Sequence, residues 1–164
     1  MTVLPILQLG APELRRTAVE VTRFDRKLGR LLDDMIDTMR AAPGVGLAAN
    51  QVGRPQRACV IEIEGHIWEL VNPVMLRTDG SQDDHEGCLS LAGFHAPTPR
   101  AMTASLEARD RRGRRVKLKG KGFLARAMQH ELQHLDGGLY IDLLPSIDLL
   151  ERPGDAGDDG DDEA

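Results

Sequence analysis

Two histidines that stand four positions apart, with a glutamate directly after the first, constrain the fold of this chain more than any other feature. They are His130 and His134, and the glutamate is Glu131. Residues i and i+4 lie on one face of an α-helix, about one turn apart. A helix would therefore bring both imidazoles to one metal ion, with the carboxylate beside them as a candidate general base. The segment predicts a helix that carries a hydrolytic metal centre.

A third metal ligand is expected elsewhere in the chain, because two histidines seldom hold a catalytic metal ion tightly. The candidates are an acidic residue, His66, His85, His95, Cys59 and Cys88. Cys59 lies in an apolar, strand-like run, where a buried structural cysteine is ordinary. Cys88 follows a glycine in a turn-like segment, from which a thiolate can point towards a metal. This setting favours Cys88 modestly over Cys59, and His85 and His95 rank lower.

The apolar periodicity predicts helices at the two ends of the chain and strands between them. One helix is expected to begin after Asp25 as its N-cap and to end before Pro43, and another to run from about Gly122 to Leu135. The predicted strands form two hairpins, 58–63 with 66–71 and 104–109 with 114–119. This order predicts an α+β fold, in which small antiparallel sheets pack around the central helix that carries the histidines.

The charge is unevenly distributed along the chain. Of its 26 acidic and 21 basic residues, the last 14 residues hold seven acids and one base, so the remainder carries a net charge near +1. Residues 151–164 are rich in Gly and Asp and have no apolar periodicity, which predicts a disordered acidic tail. Residues 1–150 are long enough for a single catalytic domain.

The N-terminus is unlike a signal peptide, no stretch has the length of a membrane span, and two cysteines fit a reducing compartment, so we expect a cytoplasmic protein.

A run of basic residues between Arg109 and Lys121 raises the possibility of nucleic-acid binding. The charges alternate with Val116 and Leu118, and no aromatic residues are interleaved for stacking on bases. An edge hairpin with one solvated face explains this pattern, since charged edges also guard against aggregation. We therefore expect no specific nucleic-acid binding.

Three segments together carry a resemblance that none of them carries alone. Gly44–Gln51 matches the pattern G-φ-G-φ-A-A-x-Q, Glu86–Ser90 matches E-G-C-φ-S, and Gln129–His134 matches Q-H-E-x-x-H. In order and spacing they resemble the three signature motifs of peptide deformylases. The resemblance covers residues 3 to 148 and leaves the acidic tail outside. By itself, the glycine-containing segment would be interpreted as a tight packing loop.

The resemblance implies a hydrolase that removes the formyl group from N-formylmethionyl peptides and releases formate. The implied metal ligands are Cys88, His130 and His134. Glu131 would act as general base, and the Gln51 side-chain amide and the Leu89 backbone N–H would donate to the developing oxyanion. The implied native ion is Fe²⁺ in a bacterial enzyme, with Zn²⁺, Ni²⁺ or Co²⁺ as alternatives. Nascent chains at the ribosome would be the natural substrates.

The resemblance also implies how the peptide would bind. The peptide would be added as a strand against Val45 and Gly46. Phe123, Arg126 and Ala127 are candidates for the wall of the methionine pocket.

The sequence departs from the family pattern at a few positions. Gln133 stands where aspartate is common, Ala92–Gly93 replaces a frequent Pro-Gly, and the chain turns acidic after Leu150. Arg100 lies where the family has an arginine that pairs with the motif glutamate, so a Glu86–Arg100 pair is expected to brace the Cys88 segment.

Two alternative functions remain open. A metalloprotease with the same helix would take a third ligand downstream of it, and Asp142 is the candidate there, since no histidine follows His134. A catalytically inert metal-binding module is the other alternative. Gln51 and Glu131 argue against an inert module, which needs neither an oxyanion donor nor a base.

Overall fold

Two antiparallel sheets and two α-helices make up the computed structural model, which describes residues 2–152. In chain order the elements are α1 (Arg26–Ala41), β1 (Gly46–Ala48), β2 (Ala58–Ile63), β3 (His66–Asp79), β4 (Gln82–Cys88), β5 (Leu91–Arg100), β6 (Thr103–Arg109), β7 (Arg115–Lys121) and α2 (Phe123–Leu135). Short 3₁₀ turns connect several of them. The predicted α+β class, with small antiparallel sheets, is confirmed.

Helix α1 begins where the sequence predicted. The Asp25 carboxylate accepts hydrogen bonds from the backbone N–H groups of Lys27 at 3.0 Å and Leu28 at 3.2 Å, which satisfies donors that have no partner within the helix. The leucines and methionines that recur at three- and four-residue spacing are buried. They form one core cluster with residues of β1 and β2. A local cap and a buried stripe are therefore sufficient to define this helix.

The five-stranded sheet has the order β1-β2-β3-β6-β7, and the remaining pair is β4-β5. Both predicted hairpins are present, but β3 continues to Asp79, beyond the predicted end. The sequence prediction missed β1, β4 and β5. Strand β1 has only three residues, β4 has no apolar alternation, and β5 contains Pro97 and Pro99, which argue against a strand when only the sequence is known.

Helix α2 lies against the five-stranded sheet through Ala125, Met128, Leu132 and Leu135, which belong to one buried cluster with residues of β2, β3, β6 and β7. A smaller buried cluster joins the β4–β5 hairpin to Leu139 and Tyr140, downstream of the helix. Helix α2 also contacts the β4–β5 hairpin directly, because Arg126 donates to Glu86 and to the Thr98 carbonyl, so the helix borders both sheets. In the described part of the chain, no helix is long and apolar enough to cross a membrane.

The sequence predicts an acidic tail after Leu150. Residues 153–164 of that tail lie outside the described residues. Glu151 is described, and it is held to β5. Its backbone N–H donates to the carbonyl of His95 at 2.8 Å, and the His95 N–H donates back at 3.2 Å.

Candidate active site

The three expected metal ligands meet between helix α2 and the end of β4. The Nε2 atoms of His130 and His134 are 3.0 Å apart, and Cys88 Sγ lies 3.2 Å from His134 Nε2. The ligand atoms of all three residues lie within 4.8 Å of one another. Ligands on a tetrahedral zinc-like ion are separated by about 3.3–3.6 Å, given metal–nitrogen and metal–sulfur bonds of about 2.0 and 2.3 Å. The donor set therefore fits one divalent ion.

The buried Glu86 carboxylate determines how His130 is oriented. Its Oε1 atom makes a short hydrogen bond with His130 Nδ1, which leaves Nε2 directed at the other ligands. Arg100 donates to Glu86 at 3.1 and 2.5 Å, and Arg126 donates to it at 2.6 Å. The expected Glu86–Arg100 pair is thus present, and Arg126 is a second partner that the sequence did not indicate.

The pKa values at the site depend on burial and on the hydrogen bonds around Glu86. Burial lowers the pKa of His134 well below its usual value, so this imidazole is neutral and keeps a lone pair for a metal. Burial also opposes the charge on His130, but hydrogen bonds with Cys88 and Glu86 outweigh burial and raise its pKa to about 10. Burial opposes ionisation of Glu86 as well, yet hydrogen bonds from His130 and Arg100 bring its pKa down to about 2. Glu86 is therefore ionised at neutral pH, and its hydrogen bond with His130 favours the cationic form of that imidazole.

Glu131 is buried beside the ligands and has an uncommitted oxygen. Its Oε2 atom has no hydrogen-bond partner among the described residues. Burial raises the pKa of this carboxyl group to about 7, so it can gain and lose a proton near neutral pH. The carboxylate lies directly against Gly46 of β1, where even a methyl group would collide with it. A glycine is needed here for this close approach.

The Gln51 amide is fully buried and held in a single orientation. Its oxygen accepts from the Ala48 backbone N–H at 2.9 Å, so its nitrogen is turned towards the end of β4. That nitrogen donates to Ser90 Oγ at 3.1 Å and lies 3.6 Å from Cys88 Sγ. Leu89 is adjacent to Cys88 in the β4–β5 turn, and its carbonyl accepts from Gln8 at 2.9 Å. The Gln51 amide nitrogen and residue Leu89 thus lie beside Cys88, one of the expected metal ligands.

A cavity of about 650 Å³ opens beside these groups. The expected pocket residues all line it: Val45, Gly46, Phe123, Arg126 and Ala127. Cys88, His130, Glu131, Gln51 and Leu89 line the same cavity. Arg126 was expected only as a wall, but its guanidinium also donates to Glu86 and to the Thr98 carbonyl, the latter at 2.9 Å. One space therefore adjoins two of the three expected ligands, the candidate base and the candidate peptide-binding strand.

The other candidate third ligands lie elsewhere. Cys59 is buried in β2, and burial raises its pKa well above the usual value, which disfavours the thiolate. The ring of exposed His66 contacts Trp68, with centroids 4.2 Å apart. Asp142 is bound by Arg15 at 2.6 and 3.1 Å. His85 and His95 form a separate group with Glu151.

Gln133, which replaces the aspartate common in the family, bridges two parts of the structure. Its side-chain oxygen accepts from Arg100 at 2.9 Å, and its nitrogen donates to the Leu139 carbonyl at 2.8 Å. The amide thus supports the arginine that pairs with Glu86. A carboxylate could accept from Arg100 but could not donate to the carbonyl.

The chain is similar to known proteins over most of its length. The model of the polypeptide deformylase family matches residues 3–149. The chain belongs to this family. A peptide deformylase from Heliobacterium modesticaldum is 48% identical over 142 residues, covering 87% of this chain and 94% of the relative. One from Pelotomaculum thermopropionicum is 42% identical over 150 residues, covering 92% and 97%.

Solved deformylase structures have the same fold. The Legionella pneumophila peptide deformylase matches with a TM-score of 0.85 and 40% identity, covering 87% of this chain and 86% of that one. The Synechococcus elongatus enzyme, solved in complex with actinonin, matches with a TM-score of 0.86 and 37% identity, covering 88% and 80%. This chain is accordingly a peptide deformylase, a hydrolase that removes the N-formyl group from new polypeptides, and the family uses a single metal ion.

Proposed function

We propose that Cys88, His130 and His134 hold the catalytic metal ion of this deformylase and that Glu131 is its general base. The observation that carries the proposal is the buried Glu131 carboxylate, with one oxygen unpartnered among the described residues, beside three ligand atoms that all lie within 4.8 Å of one another. When bound, the metal ion would lower the pKa of a water molecule towards neutrality. Glu131 would take a proton from the attacking water and pass it to the leaving amine.

Two donors are proposed to stabilise the oxyanion that develops on the formyl group. The Gln51 amide nitrogen is directed at this region, because Ala48 holds its oxygen. The Leu89 backbone N–H is the second donor. Such groups lower the barrier because they are oriented before the charge develops. Glu86 and Arg100 are proposed to keep His130 and the Cys88 segment in position, supported by the buried hydrogen bonds between them.

The peptide is proposed to bind as an added strand along β1. This strand lies at the edge of the five-stranded sheet, and both Val45 and Gly46 face the cavity. An edge strand offers backbone groups to which an extended peptide can pair. The methionine side chain would enter the part of the cavity that Phe123, Arg126 and Ala127 line.

Fe²⁺ is proposed as the native ion, with Zn²⁺, Ni²⁺ or Co²⁺ able to replace it. Nitrogen and thiolate ligands are compatible with each of these ions. A ferrous ion bound by a cysteine is expected to make activity sensitive to oxygen. Activity of protein prepared without oxygen should therefore decay in air, and reloading with Ni²⁺ should slow that decay.

The cellular setting follows as a further proposal. Formylmethionyl peptides would be met as nascent chains at the ribosome in the bacterial cytoplasm, with no specific nucleic-acid binding. Two basic residues of the β6–β7 hairpin support this expectation, since Arg115 pairs with Glu107 and Arg114 with Asp110. Residues 1–150 are proposed to act as a single catalytic domain.

Formate release from a formyl-Met-Ala substrate tests the assignment of the base. Glu131→Ala should abolish most activity, a loss of about 10²–10⁴-fold, while the metal stays bound. Glu131→Gln is a second, isosteric variant, since glutamine keeps the side-chain volume of glutamate but cannot accept the proton. Normal turnover by either variant would refute the role of Glu131.

A further inference from the structure

We propose that His85, His95 and Glu151 form a second metal site at the rim of the catalytic cavity, suited to a divalent ion such as Zn²⁺, Ni²⁺ or Cu²⁺. His85 Nε2 lies 3.1 Å from one carboxylate oxygen of Glu151, and His95 Nδ1 lies 3.0 Å from the other. The two imidazole rings meet edge-on, with centroids 5.7 Å apart. One ligand atom from each of the three residues lies within 4.8 Å of the others, as at the catalytic ligands.

The backbone brings the two histidines together in a fixed arrangement. In the β4–β5 ladder, His85 is opposite Pro97 and His95 is opposite Gly87. Side chains alternate between faces along each strand, so His85 and His95 lie on the same face as diagonal neighbours. Diagonal neighbours are close enough for two long side chains to reach a common point. The pair is therefore preorganised by the hairpin.

Glu151 is brought to this face by its own backbone. The two hydrogen bonds between Glu151 and His95 form an isolated antiparallel bridge, which places the carboxylate over the hairpin. The third ligand thus comes from a segment 56 positions further along the chain than His95. A bound ion would connect this segment to the hairpin whose first strand, β4, ends at Cys88.

The donor chemistry matches a borderline divalent cation. Two imidazoles and one carboxylate form a common ligand set for zinc and for similar ions, with water completing the coordination. The side chains are 36–54% exposed, so an ion can enter without opening the fold. The alternative is that both imidazoles simply donate hydrogen bonds to the carboxylate, in which case the group has no appreciable metal affinity.

The site is distinct from the catalytic centre, because it shares none of the three proposed catalytic ligands. Both histidines nevertheless line the catalytic cavity, next to Glu86 and Gly87. Binding at the two sites must therefore be distinguished by the number of Zn²⁺ equivalents that the protein takes up. Enzyme that already holds one equivalent of Zn²⁺ provides the starting point.

The test is calorimetric titration of this holoenzyme with further Zn²⁺ at pH 7.5. We expect the wild type to take up one additional equivalent. His85→Gln and His95→Gln should each weaken that uptake by about 100-fold or more, since even the loss of an outer partner of a metal ligand costs 10–100-fold in affinity. Glu151→Gln should weaken it as well. His66→Gln, on an exposed histidine of β3, is the matched control and should bind like the wild type.

Retention of the first Zn²⁺ equivalent and an unchanged circular dichroism spectrum verify that each variant is folded. The proposal is overturned if the wild type takes up no second equivalent. It is also overturned if His85→Gln and His95→Gln bind the second equivalent as tightly as His66→Gln does.

Discussion

Adding a single methyl group at Gly46 should reduce catalysis sharply without disturbing the fold. A Cβ atom at this position would collide with Glu131 Oε1 and lie 2.8 Å from its Cδ and 3.0 Å from its Cγ. Carbon atoms in contact are about 3.5–4.0 Å apart, so the carboxylate must move by about 1 Å. A misplacement of that size costs about 100-fold in rate, or about 2.7 kcal/mol in the activation barrier.

The assay for Gly46→Ala is steady-state formate release together with metal analysis. We expect kcat to fall by about 100-fold and the metal content to be unchanged, because the displaced group is not a ligand. Gly29→Ala is the matched control, since a Cβ on this helix α1 residue would meet nothing within 4 Å. That control should retain full activity and gain about 0.5–1 kcal/mol in stability.

A double-mutant cycle separates displacement of the base from interference with peptide binding. If Gly46→Ala acts by moving Glu131, then Glu131→Ala should cost much less in the Gly46→Ala background than in the wild type. A wild-type kcat for Gly46→Ala would refute the reasoning. So would a loss confined to KM, because it would show that the methyl group obstructs only the substrate.

Further predictions concern the ligands, the core and the ionisation of the site. Cys88→Ser should retain less metal than the wild type after dialysis against metal-free buffer without a chelator, and undiminished metal content would exclude Cys88 as a ligand. Chelation of the wild type should lower Tm, since free metal at 100 times its Kd stabilises the folded state by about 2.7 kcal/mol; an unchanged Tm would contradict this. Gly120→Ala would place Cβ 2.6 Å from Met128 Sδ and should cost about 1–3 kcal/mol in urea unfolding, whereas unaltered stability would show that the core adjusts freely. Burial opposes ionisation of Glu86, but the hydrogen bond from His130 helps to lower its pKa from 4.5 to about 2. Metal-free protein should therefore lose stability as the pH falls from 4.5 towards 2, and Glu86→Gln should flatten this dependence in acid unfolding.

The elements that depend on short-range pattern could be predicted from the sequence. Asp25 and the apolar stripe after it predicted helix α1, because a cap and a helical period act over three to seven residues. The same local rule identified His130 and His134 as neighbours on helix α2. Motif order then indicated Cys88 and Gln51. The β4–β5 hairpin escaped prediction, because β4 has no apolar alternation and the prolines of β5 are tolerated only at positions such as edge strands, which the sequence does not reveal.

By itself, the sequence determined the helix with two imidazoles one turn apart, the carboxylate beside them and the family to which the chain is similar. Only the tertiary structure decided which other residues, distant in the sequence, contact one another. It placed Arg126 on Glu86, Glu131 against Gly46, and Glu151 beside His85 and His95. The physical reason is that periodicity records contacts within a few residues, whereas these pairs are 40 to 85 positions apart and meet only because buried packing fixes how helix, sheet and hairpin fit together.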